Sequence, residues 1–293
     1  MGTNGSNGLD TRAMLVNLTI TSWQARRLDK GASSELAAEK QAQPGTVRAH
    51  KRLVEKGTVT YERVQKLATS ARTWHYAQSL PWATEGPRIL PAANFVAYSQ
   101  RMRELREEYL ADAVPAFVAD YPTLLARAPH LLGALYKPED FPAPERIASA
   151  YRFDVRVMPL PASADFRVAL SDDTVAEIRQ GIEAEVAASV QAGVKDLWRR
   201  LYDAVHHMAG KLAEPDAIFR DSLTGNLQEL CDLLPRLNLT GDSDLTRLSD
   251  DVARKLATVH PQDLRTDKAF RADTAREAES ILAAMRPFLG GTP

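Results

Sequence analysis

One part of the sequence combines positively charged side chains with flat aromatic rings. Three of the four tryptophans fall within residues 23–82, and the same segment is rich in lysine and arginine. Cations neutralise phosphates and aromatic rings stack on unpaired bases, so this mixture is typical of proteins that bind single-stranded nucleic acid. The candidate binding residues are Arg26, Arg27, Arg48, Lys51, Arg52, Lys56, Lys66, Arg72 and Trp74. The alternative is that the tryptophans belong to the core and the cations form a solvated face.

The net charge of −1 hides an uneven distribution of charge along the 293 residues. Residues 12–76 carry 12 lysines and arginines against 5 acidic residues, whereas residues 171–293 carry 15 against 21. These two parts are expected to recognise different partners, or to recognise each other in a head-to-tail assembly. Two differently solvated helix surfaces would produce the same pattern.

No combination of residues in the sequence indicates catalysis, nucleotide binding or a metal site. Neither G-x-x-x-x-G-K-[ST] nor G-x-G-x-x-G occurs, so no phosphate-binding loop is predicted. His206 and His207 are adjacent, and adjacent helical positions point about 100° apart, so the two rings do not share one metal ion. Cys231 lies in an apolar helical segment and is predicted to be a buried, inert thiol. We therefore predict a protein that is not an enzyme and that uses no cofactor and no metal ion.

Composition and cysteine content point to a folded protein of the cytoplasm. Hydrophobic residues make up 44% of the chain and charged residues 26%, which is normal for a globular protein. A single cysteine excludes an intrachain disulfide and fits a reducing compartment. Neither a secretory leader nor a run of 18 apolar residues is present, so we expect no association with a membrane.

The periodicity of apolar residues predicts a mainly helical fold built from long antiparallel helices. The longest helix is predicted over about 171–213, where Ser171 is a good N-cap and Asp172 and Asp173 complement the helix dipole. Such a helix is about 60 Å long and needs partner helices along its length. Further helices are predicted at 35–43, 46–79 (as one or two helices, with Gly57 as a candidate break), 94–120 (disturbed near Pro115), 216–239, 244–259 and 267–288.

A small antiparallel sheet is predicted beside these helices. Leu15–Trp23 alternates apolar and polar residues with a period of two, as a strand does. The stretch YRFDVRVMPLPASADFRVAL, residues 151–170, predicts a hairpin, and Leu80–Pro91 predicts an ordered proline-rich loop. Because an isolated hairpin is only marginally stable, it is expected to pair with the 15–23 strand, or across subunits through an open edge. The residues expected to mediate assembly are Phe153, Val155, Phe166 and Val168.

The sequence divides into three parts by composition. Residues 1–14 predict a flexible tail, residues 15–170 a basic α+β part with proline-rich loops, and residues 171–293 a helical C-terminal part. The boundary near residue 171 is drawn where the hairpin ends and the longest predicted helix begins.

Three segments of the sequence resemble a known family as a set. They are LPWATEGPRILPAANFVAYSQRMREL, FDVRVMPLPASADFRV, and DLWRRLYDAVHHMAGKL with PDAIFRDSLTGNLQELCDLLPRLN. Together they resemble a family of uncharacterised helical proteins encoded by bacteriophages and prophages. The resemblance covers most of the chain after about residue 15 and implies a phage or mobile-element origin and a location in the host cytoplasm. It carries no active site, so no functional residue is transferred.

These observations leave alternative functions from different classes. The first is a non-enzymatic phage or mobile-element protein that acts as a homo-oligomer, by self-assembly and partner binding. The second is a single-stranded DNA-binding or annealing protein that uses the basic, aromatic N-terminal quarter. An enzyme whose site is assembled from scattered residues is the third.

Overall fold

The structure, a computed structural model, describes residues 8–82, 86–163, 168, 171–214 and 219–289. The predicted fold class is confirmed, since the described chain is mainly helical with a small antiparallel sheet. The helices are α1 Leu9–Arg12, α2 Lys30–Glu39, α3 Val59–Gln78, α4 Phe95–Glu107, α5 Val114–Leu132, α6 Pro144–Ile147, α7 Asp172–Ala213, α8 Asp221–Leu237, α9 Ser243–Val252, α10 Pro261–Thr266 and α11 Lys268–Met285. The strands are β1 Ala13–Thr21, β2 Arg26–Asp29, β3 Ala49–Arg52, β4 Leu80–Pro81, β5 Arg88–Pro91 and β6 Arg152–Pro159.

The larger sheet has four strands in the order β4-β5-β1-β6. Strand β1 confirms the strand predicted at 15–23, and β6 confirms the first arm of the predicted hairpin beside it. The turn and second arm of that hairpin fall largely on residues 164–167 and 169–170, outside the described residues. The prediction of a loop over Leu80–Pro91 is wrong at both ends, because β4 and β5 pair with each other and β5 pairs antiparallel with β1.

A second, two-stranded antiparallel sheet joins β2 to β3. Neither strand was predicted. The prediction of helix over 46–79 is wrong in its first part, whereas the candidate break at Gly57 is confirmed. Helix α3 begins only at Val59, because Gly57 directly upstream adopts a φ of +89°, a left-handed conformation that interrupts a helix. The four residues of β3 come before this interruption and are free to pair with β2.

The residues group by contact into two compact units. Residues 1–17, 76–96 and 157–293 form the acidic unit, which carries 18 lysines and arginines and 24 acidic residues, a net charge of −6. Residues 18–75 and 97–156 form the basic unit, which carries 19 against 14, a net charge of +5. This grouping differs from the boundary drawn near residue 171, but the separation of charge that the sequence indicates is retained in the two units.

The acidic unit is built around α7, the long helix predicted over 171–213. The hydroxyl of Ser171 caps its first turn by accepting a hydrogen bond from the backbone N–H of Thr174. Leu80 packs so closely on the helix that a Cβ added at Gly193 would lie 3.3 Å from its Cδ1 atom. Helices α8 and α11 also pack on α7 and complete an apolar core.

An arginine of α7 binds the end of α3 within the acidic unit. The guanidinium of Arg200 donates hydrogen bonds of 2.8–3.0 Å to the backbone carbonyls of Tyr76, Ala77 and Ser79. It also forms an ion pair of 2.7 Å with Asp196, one turn earlier on α7. The carbonyls at the end of a helix lack partners within the helix, and this arginine supplies hydrogen-bond donors to them.

The basic unit has an aromatic core. Trp23 contacts the rings of Tyr61, Phe117, Tyr121 and Phe141 at centroid distances of 5.5–6.4 Å. The disturbance predicted near Pro115 is observed as a π-helical turn at Glu108–Ala113, which joins α4 to α5. An extra residue in the helix turn accommodates a proline, whose ring otherwise clashes with the preceding turn.

Candidate nucleic-acid interface

The β2–β3 ribbon of the basic unit presents one face to solvent. Its register places Arg26 opposite Arg52 and Leu28 opposite His50. Directly opposed residues of an antiparallel pair project to the same side, so these four side chains share one face, which we call the ribbon face. All four are exposed. On the other side of the ribbon, Asp29 and Lys51 are buried, so the ribbon packs on its unit with one side only.

The ribbon face carries two like charges directly opposite each other. Like charges in this position destabilise a sheet by a few tenths of a kcal/mol or more. Within the described ranges, no carboxylate forms an ion pair with Arg26 or Arg52. Burial raises the pKa of Tyr61, and the charges of both arginines oppose that rise, which indicates that both lie near its hydroxyl. The pair therefore concentrates positive charge on one small exposed surface.

Other exposed cations border the ribbon face. They lie at the ends of the two strands or in the adjoining segments, and no salt bridge occupies any of them in the described part of the chain. These residues are Lys30, Arg48 and Lys56, whereas Arg27 is exposed but lies opposite Lys51 and therefore projects to the other side of the ribbon. Together with Arg26 and Arg52 the bordering residues form a group of cations, none of which forms an ion pair with a carboxylate among the described residues.

Lys51 is a candidate binding residue that the structure places beneath the ribbon. Its ammonium lies 2.6 Å from a carboxylate oxygen of Asp140 and 3.4 Å from one of Asp29, and it donates a hydrogen bond of 2.6 Å to the backbone carbonyl of Leu135. Burial opposes the charged ammonium, but the hydrogen bonds to the two carboxylates outweigh that effect and raise the pKa of Lys51. The side chain therefore anchors β3 to the unit and is not free to contact a ligand.

Asp29 connects the ribbon to α2. Its side chain accepts a hydrogen bond of 3.0 Å from the backbone N–H of Ala32 and so caps the helix. This hydrogen bond is the main cause that lowers the pKa of Asp29, and the contact with Lys51 lowers it further. The hydroxyl of Ser33 in turn accepts a hydrogen bond of 3.0 Å from the backbone N–H of Ala49 at the start of β3. The ribbon is thus held by polar contacts on its packed side, while its other side remains open.

The remaining candidates of the basic quarter lie on α3. Lys66 and Arg72 are exposed, and Arg72 donates a hydrogen bond of 3.1 Å to the backbone carbonyl of Ile20. Trp74 is half-buried, and its ring nitrogen is buried without a hydrogen-bond partner among the described residues. Trp23 belongs to the aromatic core, and Trp82 packs on the core of the acidic unit. These tryptophans fit the alternative that the sequence left open, in which they are core residues.

The residues predicted to mediate assembly lie on or near β6. Phe153 is only 2% exposed and contacts the ring of Tyr109 at a centroid distance of 5.8 Å, so it belongs to the core of the basic unit. Val155 is half-buried and Val168 is exposed. Phe166 lies outside the described residues.

The other chemistry-bearing side chains do not combine into a second site where the chain is described. No group of three or more histidine, cysteine, aspartate or glutamate residues is placed there to hold a metal ion. His206 and His207 are exposed. Cys231 is buried, as predicted, and burial raises the pKa of its thiol to about 11. Across the same ranges, no helix is both long enough and apolar enough to cross a bilayer.

The ribbon face combines two exposed arginines that form no ion pair with a carboxylate among the described residues. No family model, curated protein or solved structure matches the chain.

Proposed function

We propose that this protein binds nucleic acid by its phosphate backbone, on the ribbon face and the cations that border it. The observation that carries the proposal is the direct opposition of Arg26 and Arg52 without a described acidic partner. Such a pair is unfavourable in the free protein, and phosphate groups neutralise both charges at once. Release of counterions from the nucleic acid then supplies the free energy of binding.

The extent of the charged surface favours a polymer over a small anion. A strand rises about 3.3 Å per residue, so the four-residue strands of the ribbon extend about 10 Å. Duplex DNA carries one negative charge per about 1.7 Å of axis, so several phosphates lie within that length. A single phosphate ion would neutralise only one part of the group formed by Arg26, Lys30, Arg48, Arg52 and Lys56.

The aromatic residues support binding to the backbone more than binding to unpaired bases. Stacking requires an exposed ring, and Trp23 and Trp74 are held in or against the interior. The phage or mobile-element origin that the sequence resemblance implies is compatible with a protein that acts on phage or host nucleic acid.

Self-assembly is the second candidate function. Strand β6 is one of the two outer strands of its sheet in the part of the chain that is described, and Val157 on it is 50% exposed. The outer edge of a strand offers backbone hydrogen-bonding groups to a second copy of the chain. Light scattering at micromolar concentration tests this candidate: we expect a mass of at least two chains that falls on Val157→Lys, and a mass of one chain would contradict it.

The test of nucleic-acid binding is fluorescence anisotropy with a labelled oligonucleotide at low salt. We compare the full chain with the double variant Arg26→Gln/Arg52→Gln and with a matched control, Arg199→Gln/Arg286→Gln. The control removes the same charge from exposed positions of the acidic unit. We expect the ribbon variant to lose affinity by at least about tenfold, which is about 1.4 kcal/mol, and the control to keep it. Absence of binding at low salt, or an equal loss in both variants, would contradict the proposal.

A further inference from the structure

We infer that the nucleic acid is double-stranded DNA and that the ribbon face enters its major groove. This inference rests on the proposed function and adds the form of the ligand and the groove that is read. It follows from the shape of the ribbon, from the side chains on its open face and from the placement of the tryptophans.

The shape of the ribbon fits the major groove of B-form DNA. Neighbouring strands lie about 4.8 Å apart, and the groove is about 12 Å wide and 8.5 Å deep, so it admits a two-stranded ribbon with its side chains. Entry requires one face of the ribbon to be free and the other to be supported. Residues Asp29 and Lys51 support the packed side, and all four residues of the ribbon face are exposed.

The residue types on the ribbon face suit the edges of base pairs. Arginine donates two hydrogen bonds to O6 and N7 of guanine, which is the commonest specific contact in this groove. Leu28 is 42% exposed between the charged residues, although nothing within the ribbon requires an apolar side chain there. An apolar side chain in this place contacts the methyl group of thymine. The bordering cations, Lys30, Arg48 and Lys56, are then available for the phosphates on either side of the groove.

Two other forms of nucleic acid fit this surface less well. The major groove of A-form RNA is deep and narrow, so it does not admit the ribbon. Binding of single strands depends largely on aromatic stacking, and the ribbon face contains no tryptophan, tyrosine or phenylalanine. The surface therefore matches duplex DNA in width, charge and side-chain chemistry.

The experiment compares DNA duplex, RNA duplex and single-stranded DNA of one sequence as competitors for the full chain. We expect the DNA duplex to compete at least about tenfold better than either alternative. Equal competition by all three, with binding still lost on Arg26→Gln/Arg52→Gln, would overturn the inference and leave the proposed function standing. Absence of binding to all three would overturn both.

Chemical footprinting identifies the groove. Dimethyl sulfate methylates N7 of guanine in the major groove and N3 of adenine in the minor groove. We expect the bound protein to protect guanine N7, and the Leu28→Ser variant to lose part of its preference for duplex DNA with little loss in affinity for a single strand. Protection confined to adenine N3, or a Leu28→Ser variant whose preference is unchanged, would overturn the placement in the major groove.

Discussion

Replacing Arg52 by glutamate is expected to stabilise the free protein and to weaken its binding to nucleic acid. Arg52 is exposed and lies directly opposite Arg26 in the ribbon. The substitution removes a repulsion between like charges and creates an ion pair across the two strands. The same substitution removes a cation from the proposed binding face and adds an anion that repels phosphate. Opposite effects on stability and affinity indicate a residue retained for binding.

The magnitude of each effect follows from the geometry of the pair. Cross-strand charge pairs contribute about 0.2–1 kcal/mol, and exposed ion pairs lie in the same range. Removing the repulsion and adding the attraction should therefore raise the free energy of unfolding by about 0.5–1 kcal/mol at low salt. Loss of one phosphate contact and gain of a repulsive charge should cost about 2 kcal/mol of binding, or roughly 30-fold in affinity.

The assay is urea unfolding followed by circular dichroism, paired with anisotropy on labelled DNA. The double variant Arg26→Glu/Arg52→Glu restores a like-charged pair, so its stability should return to about that of the unmodified protein while binding stays weak. Arg199→Glu on α7 is the matched control, since it makes the same charge change at an exposed position outside the ribbon. The reasoning is refuted if Arg52→Glu destabilises the protein by more than about 1 kcal/mol, or if the double variant is no less stable than each single variant.

Three further predictions concern the residues that support the two units. Lys51→Met leaves the carboxylates of Asp29 and Asp140 without their buried cation, so urea unfolding should show that the free energy of unfolding falls by about 3 kcal/mol. The exposed control Lys56→Met should change it by less than about 0.5 kcal/mol. Equal losses in the two variants would contradict the anchoring role of Lys51. Arg200→Met removes the hydrogen bond to the backbone carbonyl of Ala77 and one of the hydrogen bonds to that of Ser79, so hydrogen exchange should accelerate in residues 76–81. Unchanged exchange there would argue against a stabilising role of this contact. The raised pKa and burial of Cys231 should keep its thiol unreactive towards an aromatic disulfide reagent at pH 8 until urea unfolds the chain, and rapid labelling of the native protein would contradict this. The contribution of this thiol to the free energy of unfolding should fall as pH rises from about 9 to about 11, because only the unfolded chain releases the proton in that range.

The helical part of the fold could be predicted because its signals are local. Ser171 and the apolar residues that follow it at helical spacing define α7 without reference to the rest of the chain. Strand β1 could be predicted for the same reason, since its alternation of apolar and polar residues is visible within nine residues.

The ribbon could not be predicted because its pairing is not local. Strands β2 and β3 read RRLD and AHKR, which contain too few apolar residues to show an alternation. Nineteen residues that include α2 separate them, and the ion pair that anchors β3 joins Lys51 to Asp140, far along the chain. Short, charged strands of this kind form where tertiary contacts favour them.

The composition of the candidate site was visible in the sequence, but the roles of its members were not. Lys51 and Lys56 are the same residue type in the same stretch of sequence. Only the fold shows that Lys51 is buried beside two carboxylates and that Lys56 is exposed. The tryptophans were grouped with the cations by proximity along the chain, although Trp23 lies in the aromatic core. The residue types of a candidate site are visible in the sequence, but burial in the folded protein decides which of those residues can contact a ligand.

The dependence of DNA affinity on salt tests the central claim most directly. If the five exposed cations of the ribbon face and its border each displace one counterion, a plot of log K against log[salt] has a slope of about −4.5, and the Arg26→Gln/Arg52→Gln variant reduces its magnitude by about 2. We expect this steep slope for the full chain and this reduction for the variant. A slope near zero, or a slope that the variant leaves unchanged, would contradict it.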